Sequence, residues 1–183
     1  MQGIAENILI KDITMSTSKW FERKFDFSFD VNEYTGIYHR LQQAPAILAS
    51  VLLNKPEQIF SHQPDGKWSV KEHTGHLSVL EPLWRARIQD ILEKKPVLTP
   101  TDLNNSATSE AGFNKFSITA LLQQFSEERR QTLSLLDSIS INDHSHTSLH
   151  PRMQQPMRMI DILYFTAEHD DHHMGVIGEI IKG

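Results

Sequence analysis

Apolar residues recur three and four positions apart in four stretches of the chain, the spacing that turns one face of an α-helix toward a core. No stretch alternates convincingly with the two-residue period of a half-buried strand. The first stretch predicts a helix from about Val31 to Leu53, with Tyr34, Ile37, Tyr38, Leu41, Leu48 and Leu52 on its stripe and a bend or break at Pro45. The second opens on KWSVKEHTGHL, where Ser69 and Glu72 have the spacing of a capping box: a hydroxyl and a carboxylate satisfying the unpaired amides of a first turn. Val70, His73, Leu77, Leu80, Trp84, Ile88 and Ile91 then form its seam, His76 sits beside it, and Pro82 implies a kink. The third, about Ser117 to Leu136, carries Ile118, Leu121, Leu122, Phe125, Leu133 and Leu136, with Arg129 inside the stripe. The fourth begins near Pro156, which a first helical turn tolerates, and presents Ile162, Phe165, Val176, Ile177 and Ile180.

Between the second and third helices lies EKKPVLTPTDLNNSATSEAG, too long and too rich in Pro, Asn, Ser and Thr for a tight hairpin, and suited to crossing the end of a bundle. Four amphipathic helices of this length imply an all-α four-helix bundle over residues 31–183, with residues 1–30 as an irregular lead segment. At 183 residues, one domain suffices. A formal net charge of -5 gives no electrostatic reason to approach nucleic acid or anionic lipid, so small-molecule partners are expected. MQGIAENILIKDITMSTS lacks a signal-peptide core, and no stretch approaches the roughly 20 apolar residues that cross a bilayer. A cytoplasmic protein without membrane contact is therefore expected. The absence of cysteine excludes disulfides and a thiol nucleophile of the chain's own, so any thiol chemistry needs an external thiol.

The ten histidines are the outlying composition. His169 lies four residues after Phe165 and His173 three before Val176, so both point into the bundle, and positions four apart lie about 6 Å apart along the axis on one face. One helix can thus offer two imidazoles to one ion. Buried histidines satisfied by neighbours are equally common, and the pair alone decides nothing. His76, in the second turn of the second helix, can face that pair across the core; three neutral imidazoles with a fourth position open form a recurring catalytic metal arrangement. His73 and His172 are the competing choices, and His76, His169 and His173 are preferred. A second site in DHSHTSLH, with His144, His146 and His150, is less plausible than a solvated loop, although His150 alone could approach the bundle mouth. Trp68 and Trp84 read as packing residues.

DGKWSVKEHTGHL followed by EHDDHHMGVIGEI resembles the DinB-like superfamily, and in particular its YfiT-like metal-dependent hydrolases and bacillithiol S-transferase relatives. The resemblance runs from WFERKFDFSFDV to the C-terminus. It implies an up-down-down-up bundle with a long crossover between helices two and three, and ligands His76 of GHL and His169 and His173 of EHDDHH. A related branch has Glu at the second ligand position; His169 here favours the YfiT-like side and weakens transfer of that branch's isomerase activity.

A bound divalent ion, zinc or nickel foremost, can ionise water or a small thiol. The expected activity is a metal-dependent thiol S-transferase using a low-molecular-weight thiol cosubstrate. A metal-dependent hydrolase using water is the alternative, and a non-catalytic metal-binding bundle the third reading. A homodimer through an exposed helix face is also expected. Glu168, Asp170 and Asp171 flank the ligands out of phase and read as solvated surface. Arg129 is the candidate to receive a substrate carboxylate, against a snorkelling role at the bundle edge; Arg87, on the exposed side of its seam, is weaker. No P-loop, dinucleotide-binding glycine pattern, nucleophile elbow or HExxH occurs, so those enzyme classes have no support.

Overall fold

Ser69 and Glu72 start their helix as their spacing predicts. The Ser69 hydroxyl accepts from the Glu72 amide at 3.2 Å, and the Glu72 carboxylate accepts from the Ser69 amide at 2.8 Å. The computed structural model describes residues 20–139 and 146–182, so residues 1–19 of the lead segment, His144 and the loop around it lie outside the described residues. Within these bounds the fold is all-α, built on four long helices: α1 (Tyr34–Leu52), α2 (Val70–Leu92), α4 (Ile118–Asp137) and α5 (Met159–Lys182). A short helix, α3 (Ser106–Glu110), interrupts the long crossover between α2 and α4. Both α1 and α2 pack against α4 and α5, which places the first two helices across a diagonal of the bundle.

Pro45 and Pro82 lie inside continuous helices, so the chain does not break at either. One expectation is corrected: Pro156 does not start the last helix. It sits in a short strand, β2 (Gln155–Met157), antiparallel to β1 (Ser148–His150) with Leu149 opposite Pro156. Three-residue strands are too short to show a period, and an edge strand accommodates a residue without an N–H. The last helix starts after Arg158, whose backbone amide is capped by the Asp161 carboxylate at 2.7 Å. Leu149 also bonds to the crossover through Leu98 and Pro96, which fastens the hairpin to the end of the bundle.

A polar layer divides the core. Ile37, Leu41, Trp84, Ile88, Leu136, Ile162 and Phe165 belong to one apolar cluster; Leu48, Leu52, Val70, Leu77, Ile118, Phe125 and Ile177 belong to another. Between them on α2, α4 and α5 stand Glu81, Arg129 and Asp170. Arg129 is 1 % exposed, which a snorkelling position does not describe, and its three donor nitrogens are committed to protein acceptors rather than to a substrate. Its guanidinium donates to Glu81 of α2, to Asp170 of α5 at 2.7 Å and to the Leu41 carbonyl of α1 at 2.8 Å, joining all four long helices. Leu41 is the residue four before Pro45. Proline has no N–H to return to that carbonyl, and Arg129 takes the missing donor's place. Asp170, read as surface, is 2 % exposed. Burial pushes its carboxyl up to about 7 against the pull of Arg129, while Arg129, desolvated but flanked by Asp170 and Glu81, keeps its proton.

Removing one member of a buried charge cluster leaves the others uncompensated, a loss of about 3–5 kcal/mol. Arg129→Met should therefore lower unfolding free energy by about that amount in a urea titration, far more than the analogous change at exposed Arg130, whose pairing with Glu127 is solvated.

Candidate metal centre

His76, His169 and His173 are buried, and one ring nitrogen from each falls within 4.8 Å of the others. The Nε2 atoms of His169 and His173 are 3.2 Å apart. Two nitrogens on one tetrahedral ion, each about 2.0–2.1 Å from it, stand about 3.3 Å apart, so this pair already has a ligand spacing.

Ligating histidines need their other nitrogen held. His76 Nδ1 lies 2.8 Å from the Thr108 hydroxyl, and His173 Nδ1 lies 2.7 Å from His73 Nδ1. A ring that presents a lone pair at Nε2 carries its proton on Nδ1, so Thr108 accepts from His76 and His73 accepts from His173. His73 is thus a support for a ligand, and only His169 Nδ1 lacks a partner among the described residues. Thr108 escaped the sequence reading because it belongs to α3 in the crossover. What brings it over His76 is Gly75: a Cβ there would meet the Phe113 ring at 2.5 Å, so glycine lets the crossover lie directly on α2.

Burial, foremost, holds every ring of the cluster neutral. His76 is lowered to about 3 and His73 to about 4, each also opposed by neighbouring imidazoles, and His169 and His173 are lowered well below 6.5. Neutral imidazole is the ligating form. The rings of His76, His169 and His173 line a cavity of about 160 Å³, walled by Trp20, Trp68, Trp84 and Phe165. His172 lines it too, half-buried and tilted against Trp20 at 5.6 Å, outside the histidine cluster. Glu168 and Asp171 turn outward to Arg40, and Glu168 also meets Arg23. His150 does reach this cavity, from β1, and Arg87, read as exposed, is 1 % exposed and lines it as well.

The sequence profile of the DinB superfamily matches residues 40–177. The chain belongs to the DinB superfamily. Among curated proteins no match is found. Among solved structures, YfiT from Bacillus subtilis, described as "a probable metal-dependent hydrolase with an unusual four-helix bundle topology", superposes with a TM-score of 0.74 at 20% identity. The superposition covers 88% of this chain and 93% of that one. The long crossover and the order of helices in this DinB bundle are accordingly those of the YfiT fold, as the resemblance of the motifs implied. Among the described residues, no helix is long and apolar enough to cross a membrane.

Two outcomes test this DinB site. Losing the partner of a ligating histidine typically weakens metal affinity by about 10–100-fold, so Thr108→Val should do so in a chelator competition, with the melting of the EDTA-treated protein little changed. In that metal-free protein, unfolded imidazoles take protons near 6.5 while folded His76 and His73 do so only at about 3 and about 4. Their contribution to stability is therefore complete above the unfolded value and is lost as pH falls through that window. Asp170, raised from 3.8 to about 7, opposes this as a single group against four rings. The melting temperature should drop from pH 7.5 to pH 5.

Proposed function

We propose that this chain is a divalent-metal-dependent hydrolase of small molecules, with His76, His169 and His173 holding the ion. The observation that carries the reading is the convergence of three neutral, buried imidazoles from α2 and α5 on one point of a cavity. The YfiT relative, described as a probable metal-dependent hydrolase, supports the same chemistry. Three nitrogen donors and no thiolate suit zinc or nickel. Held there with an open position, such an ion supplies Lewis acidity, enough to ionise water or a thiol near neutral pH.

The chain's own residues supply orientation, dryness and a proton acceptor. Trp20, Trp84 and Phe165 exclude bulk water from the ligand rings. His172, half-buried and kept neutral by burial and by the charge of Arg23, is placed in the same lining to take a proton from the nucleophile and return it to the leaving group. Asp170, Glu168 and Asp171 are engaged by arginines and are unsuited to that task.

That commitment of the carboxylates also favours a second reading, thiol transfer. A low-molecular-weight thiol is acidic enough to ionise without a carboxylate base, and the chain supplies no thiol itself. The protein should contain one divalent ion per chain and hydrolyse a 4-nitrophenyl ester without added thiol. EDTA should abolish this activity, zinc or nickel should restore it, and His169→Ala should remove metal and turnover together. Turnover that appears only with a small thiol selects the transferase. Stoichiometric metal with no turnover under either condition selects a binding module, and metal retained by His169→Ala overturns the ligand assignment.

A further inference from the structure

The cavity that ends on the three histidines is also lined by Arg87, Arg152 and His150, and each of these three has one buried donor nitrogen without an acceptor among the described residues. Arg87, on α2, is 1 % exposed; its Nε donates to the Thr99 carbonyl at 3.0 Å, while Nη2 is buried with no partner. Asp90, the carboxylate whose field acts on Arg87, is occupied elsewhere. One oxygen accepts from Lys95 at 2.9 Å and the other accepts from both the amide and the hydroxyl of Thr99. Asp102 shares the cavity lining, but it is exposed and its oxygens accept from the backbone amides of Asn104 and Ser106. Arg152, beyond β1, likewise has a buried Nη2 without an acceptor.

His150 adds a third donor. Its Nδ1 faces the backbone amides of Arg152 and Met153, each at 3.3 Å, and so is the acceptor nitrogen. The proton of the neutral ring is therefore on Nε2, which is buried and unpartnered. Burial and the charges of Arg87 and Arg152 lower this ring to about 3, so it stays neutral beside them. Two guanidinium groups that repel each other and one imidazole N–H thus share a small, largely apolar chamber in which, among the described residues, no carboxylate bonds to them. Arg129 shows the contrast, since an equally buried guanidinium with a structural task has two carboxylates and a carbonyl around it. A buried charge left uncompensated is costly unless a ligand supplies the opposite charge.

We propose that Arg87, Arg152 and His150 form an oxyanion-binding subsite that grips a carboxylate of the substrate while its reacting group lies at the histidine cluster. This rests on the cluster being the reaction centre. The substrate class is then a small carboxylate-bearing ester or amide. The cavity, about 160 Å³, is close to the roughly 150 Å³ that admits one benzene, so few carbons separate the two groups. The planar fork of arginine suits a carboxylate, and two of them with an imidazole donor match its lone pairs.

The test is calorimetric titration of the full chain, metal-loaded and EDTA-treated, with glutarate, its neutral analogue glutaramide, and inorganic phosphate. Glutarate should bind both forms, and glutaramide should bind at least roughly tenfold more weakly, as expected when charge-assisted hydrogen bonds are lost. Arg152→Gln and Arg87→Met should each weaken glutarate by a similar factor. Arg152→Gln, at a half-buried position, should keep its melting temperature and remains decisive if Arg87→Met fails to fold. Phosphate binding more tightly than glutarate, with the same arginine dependence, would keep the oxyanion subsite and assign it a phosphate group. Equal affinities for glutarate and glutaramide, or wild-type affinity in a folded Arg152→Gln, would overturn the proposal. So would binding that requires the metal and survives both replacements. Because the EDTA-treated arm reads the arginines alone, a wild-type protein that binds no metal would sink the enzymatic reading without obscuring this result.

Discussion

One guanidinium holds the four long helices in register. Arg129 reaches from α4 to Glu81 on α2, Asp170 on α5 and the Leu41 carbonyl on α1, inside a core that is apolar above and below. Apolar contacts alone tolerate sliding and rotation of one helix against another, because they are non-directional. A five-donor fork with acceptors on three other helices does not. Buried ion pairs contribute little net stability relative to a well-packed apolar layer, so the effect of this layer lies in selecting one arrangement of the helices. Pro45 belongs to the same device. It leaves a helix carbonyl free without breaking the helix, and so gives Arg129 an acceptor on α1 that no side chain supplies.

The candidate metal centre inherits that register. Asp170 follows His169 directly, so the ion pair that fixes Asp170 fixes the rotation of α5 and with it the inward direction of His169 and His173. On the other side, Gly75 lets the crossover come down on α2 beside His76, and Thr108 then holds the ring. The three histidines therefore sit on long helices, the second nitrogens of His173 and His76 are held by His73 and Thr108, and the polar layer that orders the bundle lies beside them. The opposite end of the cavity is built from the hairpin and α2, elements held by backbone bonds to the crossover.

What could be read from the sequence was whatever depends on neighbours in the chain. The helix stripes, the capping box of Ser69 and Glu72, and the four-residue spacing of His169 and His173 all follow from local periodicity. The sequence already favours His76 over His73, and the structure puts His73 behind His173. Asp170 and Arg87 were placed on the surface for one physical reason: a charge on a helix reads as solvated unless its partner is known, and Arg129, although read within the stripe, lacked its structural partners for the same reason. The partners of Arg129 lie 41 to 88 positions away. Helical phase alone even argued against burial of Asp170, because it treats only apolar residues as inward. Thr108 and His150 sit in segments without a period, where only the folded path of the chain brings them to the cavity.

The aromatic wall has a practical consequence. The chain has three tryptophans, and all of them touch the histidine rings: Trp68 is 4.8 Å from His76, and Trp20 and Trp84 are 5.1 and 5.5 Å from His169. Essentially all ultraviolet emission of the protein thus originates beside one point. An ion with unpaired electrons, such as nickel or cobalt, extinguishes that glow on arrival, while a closed-shell ion such as zinc leaves it bright and only changes its colour. The molecule would thus carry its own optical gauge of which element it binds.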